Sequence, residues 1–318
     1  RMNLFRLSTV VLLAALAMFA CSFAHARTAP TRPAASPTGK FCNPATGGRN
    51  NSLPANMCFQ FNVAYGSDPL QKFDVYMPAT LPKNAPVIVM VHGGGWYQGD
   101  KTDTPVVTNK VQKWVPTGVI FISVNYRLVP KVNPVQEATD VAMALGYAQR
   151  NAAQWGGDPN KFILMGFSAG AHLVTLVASS SSVVQSVPSS VRPMPWLGTI
   201  SLDSAAYDVT EIMTNPYHDP TYDNAFGTDP KVWAAASPMT QLNARIAPYL
   251  AVCSSKEPAE YCARAQDFAD KAIGYGSDAL VLSENLAHND INAKLGLPSN
   301  YTDQVNAFMA GLTSGAFR

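Results

Sequence analysis

Lys161 to Leu173 reads KFILMGFSAGAHL: an apolar run, then Gly166-Phe167-Ser168-Ala169-Gly170, then residues that open a helix. The pattern predicts a short buried strand over Phe162–Met165 and a helix over Gly170–Ala178. Between them stands a serine with a glycine two residues away on each side. That spacing suits a nucleophile elbow, a sharp strand-to-helix turn in which a Cβ at either flank would clash. The turn lifts the Ser168 oxygen above the sheet edge, and the helix N-terminus behind it favours developing negative charge. The spacing alone also fits a glycine-rich connection with an exposed serine, so the rest of the chain must decide.

On both sides of this stretch, buried strands alternate with helices. Strands are predicted at Phe59–Tyr65, Leu70–Met77, Val87–Val91, Val119–Val124, Leu197–Leu202, Pro248–Cys253 and Ala279–Leu282. Helices are predicted near Val106–Val115 and over Pro134–Asn151, Ala259–Ile273 and Asp303–Leu312. Such alternation points to an α/β fold with a mostly parallel central sheet and helices on both faces, whose ligands bind at the carboxyl ends of the strands. Residues 206–246, dense in Tyr, Trp, Asn and Pro, read as a small insertion after the sixth predicted strand that could roof a pocket. Trp96, Tyr97, Tyr207, Tyr217, Tyr222 and Trp233 are, as a group, candidate pocket walls or local core.

The chain has 318 residues, 47% of them hydrophobic and 14% charged, which excludes a disordered or polyelectrolyte class. Its formal charge is +2, and both surplus positive charges, Arg1 and Arg6, fall within the first 26 residues. Nothing in that balance asks for nucleic acid. Arg1 and Arg6, the apolar run Val10–Ala20 and Ala24-His25-Ala26 have the order of a signal peptide over residues 1–26. The expectation is a secreted or periplasmic protein without stable membrane insertion, because the apolar run is too short for a bilayer core of ~30 Å. Met18-Phe19-Ala20-Cys21 leaves lipid anchoring at Cys21 as an alternative. Residues 27–57 then form a Pro-rich lead-in and N-terminal segment, with the catalytic domain expected over 58–318. Processing after Ala26 leaves Cys42, Cys58, Cys253 and Cys262. In an exported chain an even count reads as two disulfides, and the local pairing is Cys42 with Cys58 and Cys253 with Cys262.

His92-Gly93-Gly94-Gly95-Trp96 follows the Val87–Val91 strand directly. Three successive glycines let backbone N–H groups turn into a concavity that can donate to one oxygen, although a tight turn held by a buried His92 would read the same way. HGGGW after one strand, SVNYRL at Ser123–Leu128 and GFSAG after a later strand together resemble the α/β-hydrolase superfamily, on its carboxylesterase and hormone-sensitive-lipase-like side. The resemblance runs from about Leu70 to the C-terminus and implies the α/β-hydrolase fold. It further implies Ser168 as nucleophile and the amides of Gly94, Gly95 and Ala169 as an oxyanion hole. In this fold the triad follows the chain order serine, acid, histidine. His92 precedes the serine, His172 lies on the elbow helix and His218 lies in the insertion, which leaves His288 as the base. For the acid, Asp203 at the end of the Leu197–Leu202 strand and Glu257 after the Pro248–Cys253 strand both remain open.

These readings imply a serine hydrolase that cleaves carboxylic esters, of short-chain, aryl or acetyl type, free or linked to polysaccharide. They call for no metal or organic cofactor, and no H-E-x-x-H spacing occurs. The alternatives are a lipase or polyester hydrolase, an arylformamidase-like amidase, and a non-catalytic binding protein on the same fold.

Overall fold

Val87, Val89 and Val91 pack on one face of the central sheet while Ile88 and Met90 pack on the other, and none of the five is exposed. A strand apolar at every position has to be covered on both sides, and this one is. The computed structural model describes residues 40–43, 57–80, 82–313 and 317, with 40–43 described by their backbone. All of these lie in one unit, Ser36–Arg318.

The strands are β1 Lys40–Asn43, β2 Met57–Ala64, β3 Lys72–Pro78, β4 Ala85–Val91, β5 Ile120–Val124, β6 Gly157–Phe167, β7 Gly198–Leu202, β8 Tyr249–Ser254 and β9 Ala279–Glu284. They form a nine-stranded sheet in the order β1-β2-β3-β5-β4-β6-β7-β8-β9. The pairs β1/β2, β2/β3 and β3/β5 are antiparallel. The others, from β5/β4 to β8/β9, are parallel.

The helices are α1 Thr104–Trp114, α2 Pro134–Asn151, α3 Ala169–Ser179, α4 Ser181–Ser186, α5 Val209–Thr214, α6 Pro220–Phe226, α7 Pro230–Ala236, α8 Pro238–Gln241, α9 Ala259–Gly274, α10 His288–Ala293 and α11 Asn300–Leu312. One face of the sheet is covered by α2 and α3 through Ala138, Val141, Leu145, Leu173, Val174 and Val177. The other is covered by α1 and α11 through Val107, Val111, Trp114, Val305 and Met309. Each fully buried side chain of this size contributes roughly 1.5–3 kcal/mol of transfer free energy. Helix α2 starts where the sequence places it because Asn133 caps it: its side chain accepts from the Gln136 N–H, Gln136 returns a bond, and Pro134 supplies the helical φ.

Three elements differ from the sequence reading. The lead-in contributes strand β1, which pairs with β2. The strand before the elbow runs from Gly157, well before Phe162: Gly157 pairs with Ala85 and Phe162 with Val87, and the polar stretch DPNK between them bulges out of the ladder. The stretch 206–246, for which the sequence predicts no element, holds four short helices, α5 to α8. With β1 counted, the insertion follows the seventh strand instead of the sixth. The expected signal peptide, including Cys21, lies outside the described residues. Among the described residues, no helix is long and apolar enough to cross a membrane.

Candidate active site

The elbow is made by close packing of backbone on backbone. A Cβ on Gly166 would lie 2.2 Å from the Gly170 carbonyl oxygen, and one on Gly170 would lie 2.4 Å from the carbonyl oxygens of Val91 and His92. Only glycine lets α3 start this close to β4 and β6. The turn forces Ser168 to φ 54°, ψ −119°, and its N–H donates to Leu202 O at 2.9 Å. Five non-glycine residues with positive φ occur among the described residues: Asn62, Asn84, Trp96, Ser168 and Asp203. Asparagine tolerates this region, whereas the other three all line one cleft, so the backbone strain is concentrated there.

At the carboxyl ends of β6, β7 and β9, three side chains meet. His288 Nε2 lies 3.0 Å from Ser168 Oγ, and His288 Nδ1 lies 2.7 Å from Asp203 Oδ2. A carboxylate can only accept, so Nδ1 carries the proton and the Nε2 lone pair faces the serine hydroxyl. The other carboxylate oxygen of Asp203 accepts the Ser254 N–H at 2.7 Å, and the Asp203 side chain is 1% exposed. The His288 ring, 35% exposed, packs against Phe167 with centroids 4.8 Å apart. Ser168, His288 and Asp203 are thus brought together from positions far apart in the chain. Glu257 lies on the same cleft, half-buried, but both nitrogens of His288 are engaged elsewhere.

The cleft holds about 250 Å3. Gly95 and Ala169 line it beside Ser168, while Gly94 makes the turn behind, its carbonyl accepting from the Tyr97 and Gln98 N–H groups. The remaining wall is Trp96, Ser204, Ala205, Ala206, Asp219, Thr221, Tyr222, Glu257 and Tyr261. Of the six aromatic residues singled out in the sequence, only Trp96 and Tyr222 line the cleft. Tyr207 packs in the core against Phe268, Tyr97 and Tyr217 are exposed, and Trp233 bonds Gly227 O within the insertion. Tyr261 was missed; its signal was its place in the first turn of the helix that follows Glu257.

The two other histidines close to this machinery hold the frame. His92 Nδ1 donates to Gly93 O at 2.7 Å, and Tyr126 donates to His92 O at 3.0 Å; burial moves the His92 pKa below its ordinary value. His172 Nδ1 accepts from Trp96 Nε1 at 3.1 Å, so Nε2 donates to Ala236 O at 2.7 Å. Burial pushes His172 down to about 4, which keeps it neutral as a strut between the glycine loop, the elbow helix and the insertion. His218 sits in the insertion, bonded to Asp223 at 2.9 Å. A second clip closes the cleft wall: Cys253 at the end of β8 is disulfide-bonded to Cys262 on α9. The Cys42–Cys58 expectation falls partly outside the described residues. The backbone register sets Cys42 opposite Cys58, and Cys58 is disulfide-bonded. Among the described residues, no group of three or more His, Cys, Asp or Glu side chains could hold a metal ion.

Comparison with known proteins agrees with this architecture. The chain is 27% identical over 194 residues to esterase LipQ of Mycobacterium tuberculosis strain H37Rv, covering 59% of this chain and 45% of that protein. It is 33% identical over 153 residues to carboxylesterase NlhH of M. tuberculosis strain CDC 1551, covering 48% and 47%. The chain thus spans about half the length of the curated relatives it matches. Among solved structures, a truncated carbohydrate esterase from gut microbiota superposes with a TM-score of 0.68 at 16% identity, covering 80% of this chain and 96% of that one. An inhibited esterase B from Lactobacillus rhamnosis superposes with a TM-score of 0.66 at 19% identity, covering 82% and 89%. At these identities the structures speak for the fold. The BD-FAE family profile matches residues 73–271, from β3 through the glycine loop, the elbow and the insertion into α9. Profile, strand order and elbow agree: the chain belongs to the BD-FAE family of α/β-hydrolases.

Proposed function

We propose that this protein is a serine hydrolase of carboxylic esters and that Ser168, His288 and Asp203 carry the reaction. The observation that supports this reading is the bonded series from Ser168 Oγ through His288 to Asp203, set in a cleft that Gly95 and Ala169 also line. Ser168 Oγ attacks the ester carbonyl while His288 Nε2 takes its proton. Asp203 holds the imidazole tautomer and stabilises the imidazolium. Backbone N–H groups of Gly95 and Ala169, with Gly94 shaping the turn and the N-terminus of α3 behind, receive the oxyanion. His288 returns the proton to the leaving alcohol, then activates a water that releases the acid from the acyl-enzyme. Glu257 is assigned to the substrate wall, because His288 has no nitrogen left for it.

The cleft size supports short acyl or compact aryl esters. About 250 Å3 falls just below the roughly 300–1,000 Å3 of drug-sized ligand pockets, and the wall mixes alanines with Tyr222, Tyr261, Asp219 and Glu257. The relatives named above are esterases and carboxylesterases, and one structural neighbour is a carbohydrate esterase. A polysaccharide-linked ester is therefore within the proposed class. Export is proposed on the basic, apolar and small-residue order of residues 1–26, and the Cys253–Cys262 disulfide suits an oxidising compartment. The test is hydrolysis of p-nitrophenyl esters from acetate to palmitate by the wild type and by Ser168→Ala. Turnover that falls with chain length and drops by about 10^4-fold or more in Ser168→Ala is expected. Turnover that survives the substitution removes the assignment.

A further inference from the structure

Helix α10 begins at His288 and is only six residues long, His288–Ala293. A helix this short has no stability of its own in water. Its last carbonyls have no partner inside the helix, yet three in succession are bonded by side chains from elsewhere. Ile291 O accepts from the Tyr301 hydroxyl at 2.9 Å, Asn292 O from Lys110 Nζ at 2.7 Å, and Ala293 O from Asn109 Nδ2 at 2.6 Å.

Lys110 is the centre of this set. It lies on α1 and is fully buried, and its ammonium has a partner for each of its three N–H groups: Asn292 O and Asn292 Oδ1, both at 2.7 Å, and Pro105 O at 2.9 Å. Burial lowers its pKa to about 7, yet the three oxygen acceptors around the nitrogen favour the ammonium, and a group satisfied in this way favours one helix position over its neighbours. Asn292 is four residues after His288, one helical turn along the same short rod. At the other end, the imidazole meets the two partners of the reaction and the Phe167 ring.

We propose that Asn109, Lys110 and Tyr301 clamp the carbonyl end of α10 and thereby set the place of His288 against Ser168, with Lys110 as a positioning residue. The inference rests on the reading of Ser168, His288 and Asp203 given above. Displacing α10 misaligns proton transfer, a step in which about 1 Å can cost ~100-fold. Substrate binding, assigned above to the wall of Tyr222, Glu257 and Tyr261, is left alone.

The experiment compares wild type with Lys110→Met, with Val111→Ala as a control that opens a cavity in the same helix, and with Ser168→Ala. The readouts are kcat and KM for p-nitrophenyl acetate, melting temperature, and the low-field proton resonance of His288 Nδ1–H bonded to Asp203. Lys110→Met is expected to lower kcat by about 10- to 100-fold at unchanged KM and to broaden or abolish that resonance. Val111→Ala is expected to lower the melting temperature while keeping both kcat and the resonance. Should Lys110→Met fail to fold, Asn109→Ala combined with Tyr301→Phe removes the two flanking bonds and is expected to act in the same direction with a smaller loss. A Ser168-dependent turnover with kcat and resonance unchanged in the clamp variants overturns the positioning role alone. Turnover that persists in Ser168→Ala overturns the underlying reading instead.

Discussion

Which carboxylate faces His288 is decided by a single backbone residue. Asp203 leaves β7 at φ 55°, which swings its side chain back over the strand ends, where the Ser254 N–H and His288 Nδ1 share it. Asp203→Asn is therefore expected to lower kcat by about 10^4-fold, because an amide can favour the wrong imidazole tautomer. Glu257→Gln is expected to leave kcat within a few fold and to act on KM. Steady-state kinetics on one ester check both, and equal losses would refute the assignment. A second buried acid sets a pH dependence. Burial pushes Glu137 on α2 up to about 9; one of its oxygens accepts the Val129 N–H, and the other has no hydrogen-bond partner among the described residues. Its folded pKa stands above its ordinary value, so the native state keeps a proton that the unfolded chain releases. The stability it contributes is full below about 4.5 and is lost as pH rises through about 9. Glu137→Gln is thus expected to gain melting temperature over wild type progressively between those limits, and a difference that is flat with pH would contradict it. The turn at Ser168 was legible because glycine spacing acts through local backbone sterics, whereas His288 was singled out by the chain order that the family resemblance implies. The choice between Asp203 and Glu257 was not legible, since it depends on the positive φ that Asp203 takes at the end of β7, which no local pattern announces.

The elements that sequence period revealed were those whose pattern is enforced by packing on both sides. Helix α2 was read at its observed bounds, Pro134–Asn151, because cap, proline and apolar spacing agree. The insertion was assigned no helix or strand although it carried its own signals. Asp219-Pro220, Asp229-Pro230 and Ser237-Pro238 each place a capping side chain before a proline at the first helical position, and each begins a short helix. Helices of one or two turns bury too few residues for a hydrophobic period to show. Helix α10 went unread for the same reason, and with it the clamp at Lys110. At this scale the disulfide Cys253–Cys262 is the most exposed to test. The eight residues it encloses include Ser254, which holds Asp203, and Glu257 and Tyr261, which line the cleft. Replacing both cysteines by serine is expected to cost about 2–3 kcal/mol of stability by the loop-entropy estimate. It should also raise KM more than it lowers kcat. Denaturant titration and kinetics read the two effects separately, and an unchanged KM would show that the clip serves stability alone.

At the scale of the whole molecule, the sheet explains why three distant residues meet. Parallel strands β4 to β9 all deliver their carboxyl ends to one edge, so the glycine loop, Ser168, Asp203 and His288 arrive there from four different strands. The parallel part was legible as apolar runs alternating with helices. The antiparallel margin was less so, because β1 is four residues long and its pairing with β2 is a property of the assembled sheet. The proposed reaction requires Ser168 to bond covalently to substrate, and the most direct test is intact-protein mass spectrometry after exposure to a p-nitrophenyl alkylphosphonate, with peptide mapping of the adduct. A single phosphonyl adduct on Ser168 is expected in the wild type, formed far more slowly in His288→Ala and absent in Ser168→Ala. An adduct on another residue, or no adduct from a protein that still hydrolyses esters, would contradict it.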